Sequence, residues 1–172
     1  MNQKIKQLSG VVLGILLLIG LDQWTKRLAV AHLMGKEPLV IWKGVFELRY
    51  LENRGAAFGM LQGKQGFFFL VAIVVLAAAV FFFCRLPYSR KYLPLGLCVL
   101  GIVAGAVGNM IDRISQGYVV DFLYFSLIDF PIFNVADCYV TVGAAMLAIL
   151  IMTYYKDEDF AVFSLKKGGA NG

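Results

Sequence analysis

The stretch GFFFLVAIVVLAAAVFFFC, Gly66–Cys84, decides the class of fold. It holds no charged and no strongly polar side chain, and a helix of this length crosses about 30 Å of hydrocarbon at 1.5 Å per residue. Three further runs are long enough to cross as well: roughly Leu8–Ala31, Leu93–Ile111 and Cys138–Tyr155. The composition agrees. Of the 172 residues, 60% are hydrophobic and 16% charged, with a mean hydropathy of +0.75. A soluble core of this size cannot absorb so much apolar surface. The expectation is an α-helical membrane protein, one integral domain over 1–172 with four transmembrane helices. Its outer loops are 32–65 and 112–137, and its polar tail is 156–172.

The net charge of +5 would suggest nucleic acid in a soluble protein. Here the basic residues mostly flank apolar runs, so no nucleic-acid partner is expected and loop placement explains the charge. The short loop RLPYSRKY packs Arg85, Arg90 and Lys91 with no acid, which marks it as cytoplasmic. Both termini then face the cytoplasm. Lys4, Lys6 and the run Leu8–Leu21 imitate a cleavable signal peptide, but Asp22, Lys26 and Arg27 separate that run from Ala29-Val30-Ala31, and a retained helix fits better.

Within the outer loops, VFELRYL (Val45–Leu51) alternates apolar and polar residues with the period of a half-buried strand, and YVVDFLYF (Tyr118–Phe125) reads as a second extended segment. The tail after Tyr155 is polar and expected to fray. His32 and the scattered Cys84, Cys98 and Cys138 make neither a metal-ligand pattern nor a disulfide framework, so no metal or cofactor is expected. Cys84 and Cys98 read as inert buried thiols. Cys138 adjoins Asp137, which leaves a nucleophile reading open.

An ionisable group at mid-membrane depth costs about 2.5–3.5 kcal/mol and needs a partner or a use. Four clusters qualify. In DQWTK, Asp22 and Lys26 stand four apart on one helix face; they form either an ion pair with Lys26 snorkelling to the interface or a brace for the outer domain or a substrate. In ENRGAAFG (Glu52–Gly59), Asn53 lies beside Gly55, in an ordinary turn or against a ligand. In GNMIDRISQGYVVDF (Gly108–Phe122), Asn109, Asp112 and Arg113 share a face as the third helix emerges, beside the small residues Gly101, Gly105 and Gly108. Asp112 and Arg113 could be a helix-end pair, whereas Asp121 has no packing reason in an apolar segment. In FNVADCYV (Phe133–Val140), Asn134 and Asp137 suit the start of the fourth helix, where either can cap free N–H groups.

Taken together, these clusters have a chemical reading. Asp121 and Asp137 bracket an outer loop that can fold back and bring their carboxyls together. Two such carboxyls cannot both ionise readily, so one keeps a proton. The ionised one can take a proton from water while its neighbour polarises a carbonyl or protonates the leaving amine. A small transporter and a non-catalytic assembly subunit are the rival readings. Four spans with acids gathered near one face argue against transport, and convergence of polar residues on one place argues against a scaffold.

From DQWTK through NRGAAFG and GNMIDRISQGYVVDF to FNVAD, the motifs resemble those of lipoprotein signal peptidase (signal peptidase II), a bacterial intramembrane aspartic protease family, in its order and spacing. One departure is Ala104, where the family usually has a second glycine before Gly105. The resemblance implies removal of the signal peptide from diacylglyceryl-modified prolipoproteins, with the cut just before the lipidated cysteine. It makes Asp121 and Asp137 the catalytic pair. It places Asn53, Asn109, Arg113 and Asn134 around the substrate, and Asp22, Lys26, Gly108 and Asp112 in supporting roles. It also implies a monomer in the bacterial inner membrane, with a small extracytoplasmic β-cradle, a mobile helical loop, membrane lipids as neighbours and globomycin as an inhibitor.

Overall fold

The computed structural model describes residues 2–55 and 65–163. In chain order the elements are α1 (Gln3–Leu33), β1 (Leu39–Trp42), β2 (Phe46–Asn53), α2 (Gln65–Arg85), α3 (Leu93–Gln116), β3 (Val119–Tyr124) and α4 (Val135–Thr153). All four helices are long and apolar enough to cross a membrane. The segment 56–64, which carries the rest of ENRGAAFG and any helical loop there, lies outside the described residues, as does the end of the tail from 164 to 172.

The helices begin and end where local chemistry allows. Asn2 accepts from the Lys4 N–H, so α1 starts near the terminus and not at Leu8. Pro94 occupies the first turn of α3, and Gly117 closes it in the left-handed region at φ 81°, which moves its end from Ile111 to Gln116. Asp112 and Arg113 therefore lie in the last turns of the helix and not in a loop. α4 starts three residues earlier than the apolar run suggests, because Asn134 caps it.

The outward faces are apolar, as a bilayer requires. On α2, Ile73 and Val80 are exposed while Ala72, Ala79 and Phe83 are buried. Cys84 is exposed on that helix, which corrects the expectation that it is buried; Cys98 of α3 is buried. Between α3 and α4, small residues let the backbones approach. A Cβ added at Gly105 would strike the Ala136 carbonyl oxygen. Ala104, the departure from the family pattern, is fully buried.

The helix ends sort the molecule into two ends. At one, the Lys4 ammonium donates to the carbonyls of Phe83 (2.6 Å) and Leu86 (2.8 Å), closing the C-terminus of α2. There too a 3-10 helix, Asp157–Phe163, folds back: Asp159 pairs with Lys91, Tyr92 donates to the Asp159 carbonyl, and Phe163 stacks on Phe82. The tail is therefore ordered as far as Phe163, contrary to the fraying expected from its charge.

At the other end sits an antiparallel sheet in the order β1-β2-β3. Two of its strands match the two extended segments read from sequence. β1 was not read there, because LVIW is apolar throughout and has no period of two. Val120 and Phe122 of β3 are buried with Ala29 and Leu33 of α1, which leaves Asp121 between them facing the other way.

Candidate active site

Each candidate side chain reaches the site by a local rule. Asn134 and Asp137 form a reciprocal capping box on α4. The Asp137 N–H donates to Asn134 Oδ1 at 3.0 Å, and the Asn134 N–H donates to Asp137 Oδ2 at 3.2 Å. That leaves Asp137 Oδ1 and the Asn134 amide NH₂ free to point away from the helix. Strand alternation delivers Asp121 from β3. The pairing of β2 with β3 sets Leu51 opposite Asp121 and Asn53 opposite Val119.

Amide groups knit the two carboxyls together. Asn134 Nδ2 donates to Asp121 Oδ1 at 2.6 Å and to Asn109 Oδ1 at 3.1 Å. Asn109 Nδ2 donates to Asp137 Oδ1 at 2.8 Å. Asn53 Nδ2 donates to Asp121 Oδ2 at 2.8 Å, while its own oxygen accepts from the Gly55 N–H at 3.0 Å. No cation touches either carboxylate among the described residues. Asp121 is only 1% exposed, whereas Asp137 is half-buried. Burial pushes the Asp121 carboxyl up to about 7 from its ordinary 3.8, and the charge of Asp137 pushes the same way; Asn53, Asn134 and Lys26 pull it back.

Behind these amides lies a buried ionic cluster. The Lys26 ammonium is 2.9 Å from Asp22 Oδ2, 2.9 Å from Asp112 Oδ2 and 2.9 Å from Asn109 Oδ1. Its side chain is only 3% exposed, so it does not snorkel to the interface, while its ion pair with Asp22 forms across one helical turn. Each partner acid ties in another element. Asp22 Oδ1 accepts from the Ala136 N–H of α4 at 3.0 Å, and Asp112 Oδ2 accepts from the Val120 N–H of β3 at 3.2 Å. Asp112 thus does not pair with Arg113. Gly108 leaves room for Asp22: a Cβ there would lie 2.6 Å from Asp22 Oδ2.

Arg113 donates to the carbonyls of Gly55 (3.1 Å) and Asn109 (3.4 Å), and its guanidinium lies 4.3 Å above the Phe68 ring. Cys138 lines a separate apolar groove with Cys98, Gly101 and Val142. No group of three or more His, Cys, Asp or Glu is placed to hold a metal among the described residues.

A model of the family described as "Signal peptidase (SPase) II" matches residues 14–153. The chain belongs to the signal peptidase II family. It is 43% identical over 149 residues to the lipoprotein signal peptidase of Streptococcus thermophilus (strain CNRZ 1066), covering 87% of this chain and 94% of that protein. It is 38% identical over 149 residues to that of Streptococcus pyogenes serotype M5 (strain Manfredo), covering 87% and 95%. A solved structure described as "Bacterial membrane enzyme structure by the in meso method at 2.3 A resolution" superimposes with a TM-score of 0.73 at 31% identity, over 92% of this chain and 94% of that one. A second, at 1.9 Å, gives a TM-score of 0.72 at 31% identity, over 86% and 95%.

As a signal peptidase II, the chain is a multi-pass membrane protease that acts on lipoproteins. All the candidate residues, from Asp22 to Asp137, fall inside the matched span. Two groups of this signal peptidase escaped the sequence reading. Gln23 Nε2 donates to Asp112 Oδ1 (2.8 Å) and to the Gly108 carbonyl (3.2 Å), joining α1 to α3. It lies within DQWTK, where a buried amide beside Asp22 was the available signal. The Gly55 carbonyl that holds Arg113 leaves no mark in a sequence.

Proposed function

We propose that Asp121 and Asp137 form a catalytic dyad that hydrolyses the peptide bond just before the lipidated cysteine of diacylglyceryl-modified prolipoproteins. The observation that carries this is the pair's shared amide frame. Asn134 donates to both carboxyls, from its side-chain amide to Asp121 and from its backbone N–H to Asp137, and burial pushes Asp121 up to about 7, where carboxyl and carboxylate coexist at neutral pH. One carboxylate takes a proton from water as the water oxygen attacks the scissile carbonyl carbon. The protonated partner donates to the carbonyl oxygen. Collapse of the tetrahedral intermediate breaks the C–N bond, and the amine leaves with a proton from the dyad. The pair titrates as a unit, so either member can hold the resting proton.

A signal peptide helix in lipid satisfies its own backbone and must unwind locally to expose one peptide bond. Asn53, Asn109, Arg113 and Asn134 supply donors and acceptors for the freed groups. The acyl chains stay in the bilayer against the apolar helix faces and anchor the substrate beside the dyad, each buried CH₂ contributing about 0.8 kcal/mol. A globomycin-type inhibitor would occupy the substrate's place beside the dyad, and a monomer suffices for the reaction. The positive loop at Arg85–Lys91 supports an orientation with both termini in the cytoplasm and the dyad near the outer face.

The test is cleavage of a purified lipidated precursor. Asp121→Asn and Asp137→Asn should each reduce the rate by at least about 100-fold, the low end of what a positioned acid or base contributes. Both should still insert and fold. The wild-type product should begin at the lipidated cysteine by mass spectrometry. Undiminished cleavage by either variant would sink the dyad.

A further inference from the structure

A cavity lies at the opposite end of the bundle from the proposed dyad. It encloses about 490 Å³ between the start of α1, the end of α2 and the start of α3. Its lining changes character along its length. On α1, Lys6 lies one turn closer to the end of the bundle than Gly10 and Val11; Arg90, in the 3-10 turn Arg90–Tyr92 that leads into α3, precedes Leu97 and Leu100 of α3 in the same order. Polar and cationic groups therefore stand at the mouth and apolar groups within, the polarity of a phospholipid. Tyr88 and Ser89 add hydroxyls to the mouth.

The two cations are uncommitted. Lys6 and Arg90 are exposed, and neither has an acidic partner among the described residues. Their neighbours are occupied: Lys4 by the carbonyls of Phe83 and Leu86, Lys91 by Asp159. The acids of this end, Asp157, Glu158 and Asp159, sit on the 3-10 helix, and none of them lines the cavity.

We infer that this cavity binds an anionic phospholipid of the surrounding bilayer, with the headgroup phosphate at Lys6 and Arg90 and one acyl chain along the groove between α1 and α3. The groove alone cannot select a lipid, because an acyl chain entering it leaves one apolar medium for another. Selection comes from the mouth. A zwitterionic headgroup brings its own ammonium, which the two cations repel, whereas an anionic one does not. Each basic residue near a membrane surface strengthens attraction to anionic lipid about five-fold. The inference rests on the helices spanning a membrane and is independent of the dyad.

The experiment is native mass spectrometry of the full-length protein in detergent, titrated with phosphatidylglycerol or phosphatidylcholine of matched chains. The wild type should retain phosphatidylglycerol in preference. The double variant Lys6→Gln/Arg90→Gln should lose about 25-fold in phosphatidylglycerol affinity, about five-fold per cation, with phosphatidylcholine unchanged. A Cβ at Gly10 meets nothing within 4 Å, so Gly10→Leu projects into open cavity and should weaken retention without disturbing the helix packing. Equal retention of the two lipids by the wild type would overturn the inference. So would phosphatidylglycerol affinity untouched by both variants, or displacement of the lipid by inorganic phosphate at matched ionic strength.

Discussion

Asn134 and Asp137 satisfy two demands with the same atoms. Read alone, each suits a helix cap, and both do cap α4. A carboxylate has two oxygens and an amide has both an oxygen and an NH₂, so each residue keeps one group for the helix and turns the other toward the site. Asp121 is different, since nothing local requires a carboxyl there. Its raised pKa has a definite sign. The fold disfavours its charged form, so its contribution to stability is full below pH 3.8 and is lost as pH rises through about 7. The protonated carboxyl should be visible as an infrared C=O band that vanishes in Asp121→Asn. In wild type the band should titrate near pH 7, and in Asp137→Asn its midpoint should fall, because the neighbouring negative charge is gone. A midpoint unmoved by that substitution would show that the two carboxyls do not sense each other.

At the scale of elements, α3 is the central member. Asn109 and Asp112 project from its last turns into the site and the ionic cluster, while Gly105 and Gly108 admit α4 and Asp22. Gly108 is the sharper test. A methyl group there meets a buried carboxylate already fixed by Lys26, Gln23 and the Ala136 N–H. Gly108→Ala should therefore destabilise the protein by about 1–3 kcal/mol, the usual range for overpacking. Gly20→Ala is the control. A Cβ at Gly20 meets nothing within 4 Å, and alanine is the better helix former by about 1 kcal/mol. Thermal unfolding in detergent should separate the two, with a lowered midpoint for Gly108→Ala only.

At the scale of the whole molecule, four spans return the chain to the end where it began. Lys4 against α2 and Asp159 against Lys91 tie both terminal segments to that end, and the sheet with the candidate dyad occupies the other. If the basic loop marks the cytoplasmic side, the two ends face different compartments. In a protein with Cys84, Cys98 and Cys138 replaced by alanine, Ser115→Cys at the sheet end should react with a membrane-impermeant maleimide in intact cells. Lys156→Cys, just beyond α4, should react only after permeabilisation. The reverse pattern would invert the orientation.

Hydrophobic run length alone determined four membrane-crossing helices, because a bilayer offers backbone groups no partner and only a closed helix of about 20 apolar residues satisfies them. Alternation exposed one of the three strands and β-branched and aromatic content a second, and the costly charges marked the residues worth explaining. Only the tertiary structure decided what those charges touch. The i, i+4 spacing allows Lys26 to pair with Asp22 and either snorkel or brace, and only the fold shows it buried between Asp22, Asp112 and Asn109. The folding back of the 3-10 helix and the hold of Arg113 on the Gly55 carbonyl were equally beyond reading. A hydrogen bond depends on atoms within about 3 Å, and its two partners here stand as far apart in the chain as Asp22 and Ala136.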